Sequence, residues 1–418
     1  MKSVITLSTA AVTLFSGAFA DARATFAASR DAVDLAAYTR RNGNEQVVVI
    51  DRKKYNVLGA DGTNSSFRSY SDPWNPTNSS APFFQVFDDE FYDIIGEDPW
   101  IHEISSDPTF AFAHEAPVWV PDTDEVFLCS NAGGALGRSG LDANNQVARI
   151  SLKEVDEAMG GAPQDVNVSH SKVDLPDFVQ MANGGTGPYK GNLIYMNQGR
   201  GDRPANIALI NPYPPYNASI ILDNFFGREF NALNDAKVHS SGVIFFADPA
   251  YAYYQYFKAA PTLPNQVYAF DPTTGDVRVV ADQLNKPNGL AFSKDFKTLY
   301  IADSGYLGGL FANNATLPAT VYAYDVTDDL ALVNRRVFAY IDEGAPDGIN
   351  VDVNGYLYAG CGDGVHVWNP KGRLVGKFFI GSNTANFAFA GPGRLVILAE
   401  TKVFLASIAA EGVSVIHE

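Results

Sequence analysis

The chain has 418 residues, a formal net charge of −17 at pH 7 and two cysteines. The negative charge argues against nucleic acid or an anionic membrane as partner, because both are bound through basic patches. Two cysteines cannot build a disulfide scaffold. Frequent glycine, proline and aromatic residues, together with a lack of long helical periodicities, favour an all-β protein with many turns.

The first twenty residues have the pattern of a secretory signal peptide. Lys2 precedes an apolar centre, and the segment ends in the small-x-small sequence Ala18-Phe19-Ala20. The segment is short for a spanning helix, and no later stretch has the apolar length that a membrane span needs. We therefore expect residues 1–20 to be removed and the product to be secreted.

Export agrees with five Asn-x-Ser/Thr sequences, which accept glycans on surface loops of secreted chains. These sequences begin at Asn64, Asn78, Asn167, Asn217 and Asn314.

Residues 21–109 are predicted to form an N-terminal extension. Within it, Glu45 to Leu58 alternates in the manner of a strand, and a closed ring of blades needs an overlap of its two ends. We expect this strand to close the ring. The aromatic segment 83–100 is expected to pack on the blades, and a short helix is predicted over Leu152–Met159.

From about residue 110 to the end, one pattern recurs six times. Its clearest copy is NKPNGLAFSKDFKTLYIADSG, in which a polar opening residue is followed by two apolar strands. The six openers are Glu115, Asn183, Asn234, Asn288, Asp347 and Asn386. Their spacings of 68, 51, 54, 59 and 39 residues suit four-stranded blades, whose repeats are roughly 40 to 50 residues long. Residues 110–418 are therefore predicted to be a six-bladed β-propeller and the catalytic domain.

The openers predict a metal site. The innermost strand of each blade lines the central channel, so residues at equivalent places form a ring at one mouth. Carboxylate and carboxamide oxygens are the ligands that Ca²⁺ takes. The loops between second and third strands lie beside this ring, and one of them carries Tyr251 and four further aromatic residues. Cys129 and Cys361 end the second strands of separated blades and are expected to be free thiols.

Four of the six repeats carry motifs with a family resemblance. HEAPVW, LNDAKV, PNGLAFS with LYIADS, and PDGINVD with YLYAGC resemble the gluconolactonase, senescence-marker-protein and luciferin-regenerating-enzyme superfamily of six-bladed propellers. Residues 114–119, 183–192 and 360–370 further resemble secreted fungal lactonohydrolases. The resemblance implies a Ca²⁺-dependent hydrolase of aldonolactones or D-pantoyl lactone. It implies that the cation is held by Glu115, Asn234, Asn288 and Asp347.

Two positions depart from the wider superfamily. His114 stands where glycine is usual, and Ala232 stands where an arginine often precedes the Asn-Asp pair by two residues. The role of His114 and the substrate contact of the arginine therefore do not carry over from distant members.

Candidate catalytic roles follow from this site. Asp347 is the first choice for orienting and deprotonating water, with His114 as the alternative base, and Glu115 supports the cation. Substrate binding is assigned to Asn183, Asn234, Asp303 and Tyr251, although an aspartate such as Asp303 also commonly caps a turn.

Two other functions remain open at this point. The same ring would stabilise a phosphoryl oxygen in an ester or phosphotriester hydrolase. Alternatively, the calcium would be structural in a binding propeller without catalysis. The oligomeric state is left open.

Overall fold

The computed structural model describes residues 38–40, 44–59, 67–68 and 72–417. The expected signal peptide and the glycosylation sequence at Asn64 lie outside these residues.

In the described residues before the first opener there are four strands, β1 to β4. They are β1 (Tyr38–Arg40), β2 (Val47–Ile50), β3 (Phe83–Val86) and β4 (Trp100–Ser106). A 3₁₀ turn covers Arg52–Tyr55, and the helix α1 covers Glu90–Ile95.

The rest of the chain forms the six predicted blades of a β-propeller. Blades 1 and 2 contain β5 (Glu115–Val120), β6 (Glu125–Cys129), β7 (Val147–Ser151), β8 (Ser171–Lys172), β9 (Ala182–Tyr189), β10 (Asn192–Asn197), β11 (Asn206–Ile210) and β12 (Ala218–Leu222). A small hairpin, β13 (Asn224–Phe225) and β14 (Arg228–Glu229), leads to blade 3. Blades 3 and 4 contain β15 (Ala236–Val238), β16 (Ile244–Asp248), β17 (Gln266–Phe270), β18 (Val277–Ala281), β19 (Pro287–Phe292), β20 (Thr298–Asp303), β21 (Thr320–Val326) and β22 (Leu332–Tyr340). Blades 5 and 6 contain β23 (Ile349–Val351), β24 (Leu357–Cys361), β25 (Gly364–Trp368), β26 (Leu374–Phe379), β27 (Asn386–Phe389), β28 (Arg394–Ala399) and β29 (Lys402–Ser407).

The strand that closes the ring is β4, so the expectation that 45–58 closes it was wrong. β4 pairs antiparallel with β29 and supplies the fourth strand of blade 6. β2 instead pairs with β3, which pairs with β26 and widens blade 5. Aromatic contacts hold this edge, since the rings of Phe84 and Phe378 lie 5.3 Å apart. The aromatic segment therefore packs on the propeller as expected.

The predicted helix is present as α2 (Leu152–Met159), but it joins the third and fourth strands of blade 1, so the expectation that it lies between blades was wrong. Ser151 caps its first turn by accepting a hydrogen bond from the Glu154 N–H at 3.3 Å, and Gly160 ends it in a left-handed conformation. Leu152, Val155 and Met159 face the core. Among the described residues, no helix has the length and apolar character needed to cross a membrane.

Apolar residues fill the space between adjacent blades and form the core. Cys129 and Cys361 end β6 and β24 as predicted, and both are buried free thiols.

The C-terminal segment 411–417 crosses the channel mouth opposite the openers. The Val413 N–H donates to the Val351 carbonyl of blade 5 at 2.9 Å, and the His417 N–H donates to the Pro188 carbonyl of blade 2 at 2.8 Å. It covers an axial cavity of about 220 Å³, to which Asn386 is the only opener that contributes. The other mouth, at the openers, is therefore the side on which the long loops meet the ring.

Candidate active site

Glycine after the opener lets neighbouring blades approach closely. The residue after Asn183, Asn288 and Asp347 is a glycine in each case. A Cβ on Gly184 would lie 2.3 Å from the Asn234 carbonyl oxygen, and one on Gly289 would lie 2.2 Å from that of Asp347. Any larger residue would separate the blades, so these glycines help to bring the openers together.

The openers meet as predicted in a ring of buried polar side chains. Glu115, Asn183, Asn234, Asn288 and Asn386 are at most 6% exposed, and Asp347 is partly buried. Four of the ring's oxygen atoms have no hydrogen-bond partner within the described part of the chain, although leaving buried oxygens unpaired is costly. They are the Oδ1 atoms of Asn183, Asn234, Asn288 and Asp347.

Two acidic side chains, Glu115 and Asp347, lie together in this ring. Burial raises the pKa of Glu115, and the charge of Asp347 raises it further. Burial also raises the pKa of Asp347 to about 7, with Asp235 and Glu400 acting in the same direction. Asn386 donates from Nδ2 to Glu115 Oε2 at 2.8 Å and so fixes one carboxylate oxygen.

This donor set fits a hard divalent cation. Two carboxylates and three carboxamides present oxygen atoms, and unpaired oxygens are what Ca²⁺ coordination satisfies. No group of three or more His, Cys, Asp and Glu side chains in the described residues is arranged for a metal. Carboxamides must therefore supply part of any coordination here, and the ring does not resemble a zinc site.

His114 points to a partner that the sequence analysis missed. Its Nδ1 lies 2.7 Å from Oε1 of Glu400, the residue after β28. Asn131 and Asn383 each donate to the same carboxylate at 2.9 Å. Glu400 follows ILA in blade 6 as Asp303 follows YIA in blade 4, so alignment of the strand ends would have drawn attention to it.

The contact between His114 and Glu400 shifts the pKa of both side chains. Burial lowers the pKa of His114, but the charge and hydrogen bond of Glu400, with a contribution from Glu115, outweigh it and raise this pKa to about 9. Burial raises the pKa of Glu400. The charge and hydrogen bond of His114, together with the hydrogen bonds from Asn131 and Asn383, outweigh burial and lower this pKa to about 2. Without a cation, His114 is therefore protonated at neutral pH and cannot accept a proton.

Asp303 has a different role from the one predicted. Its carboxylate accepts hydrogen bonds from the backbone N–H groups of Asn285 at 2.9 Å and Lys286 at 2.8 Å. Asp248 of blade 3 holds the N–H groups of Asn231 and Ala232 in the same way. These aspartates fix the loops that carry the openers, and the assignment of Asp303 to substrate binding was wrong because its oxygens face the backbone.

Tyr251 lies at the ring as predicted. Burial raises its pKa, and the nearby charge of Asp347 adds to the effect. Its hydroxyl lies close to the side chains of Ser304 and Asn288, and no described residue accepts a hydrogen bond from it. The neighbouring Ser304 accepts from Asn288 Nδ2 at 3.1 Å and donates to the Pro346 carbonyl at 2.5 Å. The phenol is therefore available to donate to a ligand at the ring.

Fold and site together define a six-bladed propeller with an oxygen-lined polar site at one mouth of its channel. Residues 114–400 match the model of the SMP-30/gluconolactonase/LRE-like region, and the chain belongs to this family. It is 30% identical over 365 residues to lactonohydrolase oryL of Aspergillus oryzae, covering 82% of this chain and 78% of the relative. It is 29% identical over 191 residues to a gluconolactonase of Zymomonas mobilis, covering 43% and 51%.

A solved gluconolactonase of Xanthomonas campestris superposes with a TM-score of 0.60 at 22% identity. The match covers 77% of this chain and 93% of that one. At this identity the likeness concerns the fold.

Proposed function

We propose that this chain is a secreted, Ca²⁺-dependent lactonase that opens aldonolactones or D-pantoyl lactone to the hydroxy acid. The observation that carries the proposal is the set of four unpaired oxygens on Asn183, Asn234, Asn288 and Asp347, beside the carboxylate of Glu115. The names of the curated relatives, lactonohydrolase and gluconolactonase, support lactones as the substrate class.

Glu115, Asn234, Asn288 and Asp347 would hold the calcium ion. When bound, the ion supplies a Lewis acid that polarises the lactone carbonyl and stabilises the negative oxygen formed on it. Asn183 is then left to bind substrate, and Asn386 keeps the Glu115 carboxylate in place.

Asp347 is the proposed base. Its Oδ1 has no partner in the described chain, and a carboxylate beside a cation can act as a base through a bound water. In the reaction, the water oxygen bonds to the carbonyl carbon while its proton passes to Asp347. The ring C–O bond then breaks, and the departing alkoxide takes a proton from His114 to give the hydroxy acid, while the proton held by Asp347 returns to His114 through solvent.

Tyr251 and His114 have proton-donating roles in this scheme. The Tyr251 hydroxyl is buried, un-ionised and unpaired, which suits a donor to a substrate oxygen. His114 is held by Glu400, which raises its pKa to about 9 in the absence of a cation, so in this scheme it protonates the alkoxide instead of acting as the base.

The test is hydrolysis of D-pantoyl lactone, D-gluconolactone and D-galactonolactone by the purified protein, followed by acid release in a pH-stat. We expect at least one lactone to be opened by the wild type and the rate to fall about 100-fold or more in Asp347→Asn. No hydrolysis of any lactone, with hydrolysis of aryl esters or phosphotriesters instead, would overturn the proposed reaction.

Secretion and glycosylation are part of the same proposal. Asn78, Asn167, Asn217 and Asn314 are all exposed, as acceptor sites must be. Expression in a glycosylating eukaryotic host should yield protein in the medium that begins near Asp21 and loses mass on deglycosylation. Full-length protein retained inside the cells would contradict secretion.

A further inference from the structure

Large apolar side chains are exposed on the three loops that surround the ring. The loops join second to third strands in blades 1, 3 and 4. Leu136, Leu141, Tyr253, Tyr256, Leu310 and Phe311 are each 37% to 56% exposed. Such a concentration of exposed hydrocarbon beside a site is characteristic of ligand binding.

A groove of about 500 Å³ lies between two of these loops. Residues 133–135 and 138–143 line it on the blade 1 side, and Leu310 lines it on the blade 4 side. Three of its lining residues are glycines, which leave the groove wide and without polar side chains along those stretches.

Both walls of the groove are tied to the ring. On the blade 1 side, Asn131 donates to Glu400, the partner of His114. On the other side, the Leu310 N–H bonds the Tyr254 carbonyl at 3.0 Å. Tyr254 ends the short helix α3 (Tyr251–Tyr254), which begins at the buried Tyr251. One wall of the groove is therefore linked to Glu400 through Asn131, and the other is linked to Tyr251 through α3.

Three polar side chains line the groove, those of Arg138, Ser139 and the exposed Asp142, and the first two are engaged by the protein itself. Arg138 donates to the carbonyl and hydroxyl oxygens of Thr109 and covers the ring of Phe110. Ser139 donates to the Asn131 carbonyl and accepts from Gly133 N–H. The Asp142 carboxylate at the exposed edge is then the charged group left to bind the hydroxyls of a sugar lactone, and hydroxyls without a partner would lose their hydrogen bonds to water.

The layer beneath the loops is apolar as well. Phe257 packs in a buried cluster that includes Ala132, Met181, Ala232 and Ala252. Ala232 thus belongs to a hydrocarbon cluster and offers no charge to a substrate.

We propose that the groove binds an apolar substituent of the lactone ring, so that alkyl- or aryl-substituted lactones are preferred substrates over polyhydroxylated ones. This inference rests on the proposed lactonase activity and ranks the candidate lactone substrates. D-pantoyl lactone, with its two methyl groups, falls between alkyl lactones and aldonolactones. Leu141 and Leu310 are the specificity-determining residues.

The test is kcat/KM across γ-butyrolactone, γ-hexalactone, γ-octalactone and γ-decalactone, with D-galactonolactone as the polar comparison. Each methylene that enters the groove should raise kcat/KM about fourfold, until the groove is filled. Leu310→Ser and Leu141→Ser should reduce the ratio of octalactone to butyrolactone by about tenfold. Val337→Ser is the matched control, because Val337 is 67% exposed on the outer strand of blade 4.

Three results would overturn the inference but not the proposed lactonase activity. They are equal kcat/KM values along the series, a preference for D-galactonolactone, and a change in the octalactone-to-butyrolactone ratio no larger than in Val337→Ser. Failure to open every lactone would overturn the proposed function and this inference together. Thermal unfolding of each variant separates loss of the groove from loss of the fold.

Discussion

His114 Nδ1 lies 2.7 Å from Glu400 Oε1. This contact joins the start of blade 1 to the second hairpin of blade 6 beside the ring. A backbone bridge between Ala113 and Glu400 accompanies this contact. The ring's chemistry is thus linked to the interface at which the propeller closes, because the same residues hold the first and last blades together.

The first prediction concerns the ring carboxylates. Glu115→Gln and Asp347→Asn keep the shape of each side chain but remove a negative charge that would face the cation. We expect kcat/KM to fall about 100-fold or more and calcium affinity to weaken in calorimetry. Glu157→Gln, on the exposed face of α2, is the control. Normal turnover by both ring variants would contradict the site.

The second prediction concerns pH and the His114–Glu400 pair in chelator-treated protein. The pKa of His114 rises from 6.5 to about 9, so its contribution to stability is complete below pH 6.5 and is lost as the pH rises through 9. The pKa of Glu400 falls from 4.5 to about 2, so its contribution is complete above pH 4.5 and is lost as the pH falls through 2. Both contributions are complete between these limits, from pH 4.5 to 6.5.

Glu400→Gln should therefore lower the unfolding free energy most in that window, by about 1.5–3 kcal/mol, the range for a hydrogen bond to a charged group. The difference from wild type should shrink towards pH 9. Denaturant unfolding at a series of pH values measures it. A difference that does not vary with pH would show that the pair is not ionised in the folded protein.

The third prediction concerns a buried charge cluster in blade 5. Lys377 Nζ lies 3.0 Å from Asp363 Oδ2, and His366 Nε2 lies 2.5 Å from Asp363 Oδ1. Burial raises the pKa of Asp363, but His366 and Lys377 lower it to well below its usual range. Its contribution to stability is therefore present above pH 3.8 and is lost as the pH falls below that value.

Lys377→Met leaves a buried carboxylate without its lysine and should cost about 3–5 kcal/mol of unfolding free energy at neutral pH. Lys402→Met is the matched control, because Lys402 pairs with Glu103 at the surface and should cost at most about 1 kcal/mol. Chemical denaturation compares the two variants. Equal losses would contradict a special role for the buried cluster.

The fourth prediction concerns thiol reactivity. Burial raises the pKa of both Cys129 and Cys361, with added contributions from the charges of Glu115 and Asp363 respectively. Because the thiolate is the reactive form, neither thiol should react with a disulfide reagent in the native protein, and both should react in denaturant. Rapid labelling of the native protein would show that these thiols are accessible.

The repeat pattern was sufficient to predict the blades and the ring. Each opener lies at the channel mouth because it is followed by two strands whose apolar residues must face the neighbouring blades. Helix α2 was predicted to the residue, since Ser151 and Gly160 mark its ends with local interactions. These features depend on neighbours in sequence.

The errors came from interactions between distant residues. Both Val47–Ile50 and Trp100–Ser106 have the residues of a strand, and only pairing with β29 decides which one closes the ring. Asp303 ends a strand beside the site, but its orientation depends on the backbone of the loop before Asn288. Glu400 has a positive φ of 63° and meets His114 from the far end of the chain, so local patterns did not indicate their contact.

Lactone hydrolysis is proposed to depend on a calcium ion held by the oxygen ring. The most direct measurement is the rate of hydrolysis of the best lactone substrate before chelation with EGTA, after removal of metal, and after addition of Ca²⁺, with bound metal quantified at each stage. We predict that activity disappears with the metal and returns when one Ca²⁺ per chain is restored. Undiminished hydrolysis by protein shown to contain no divalent metal would contradict the account.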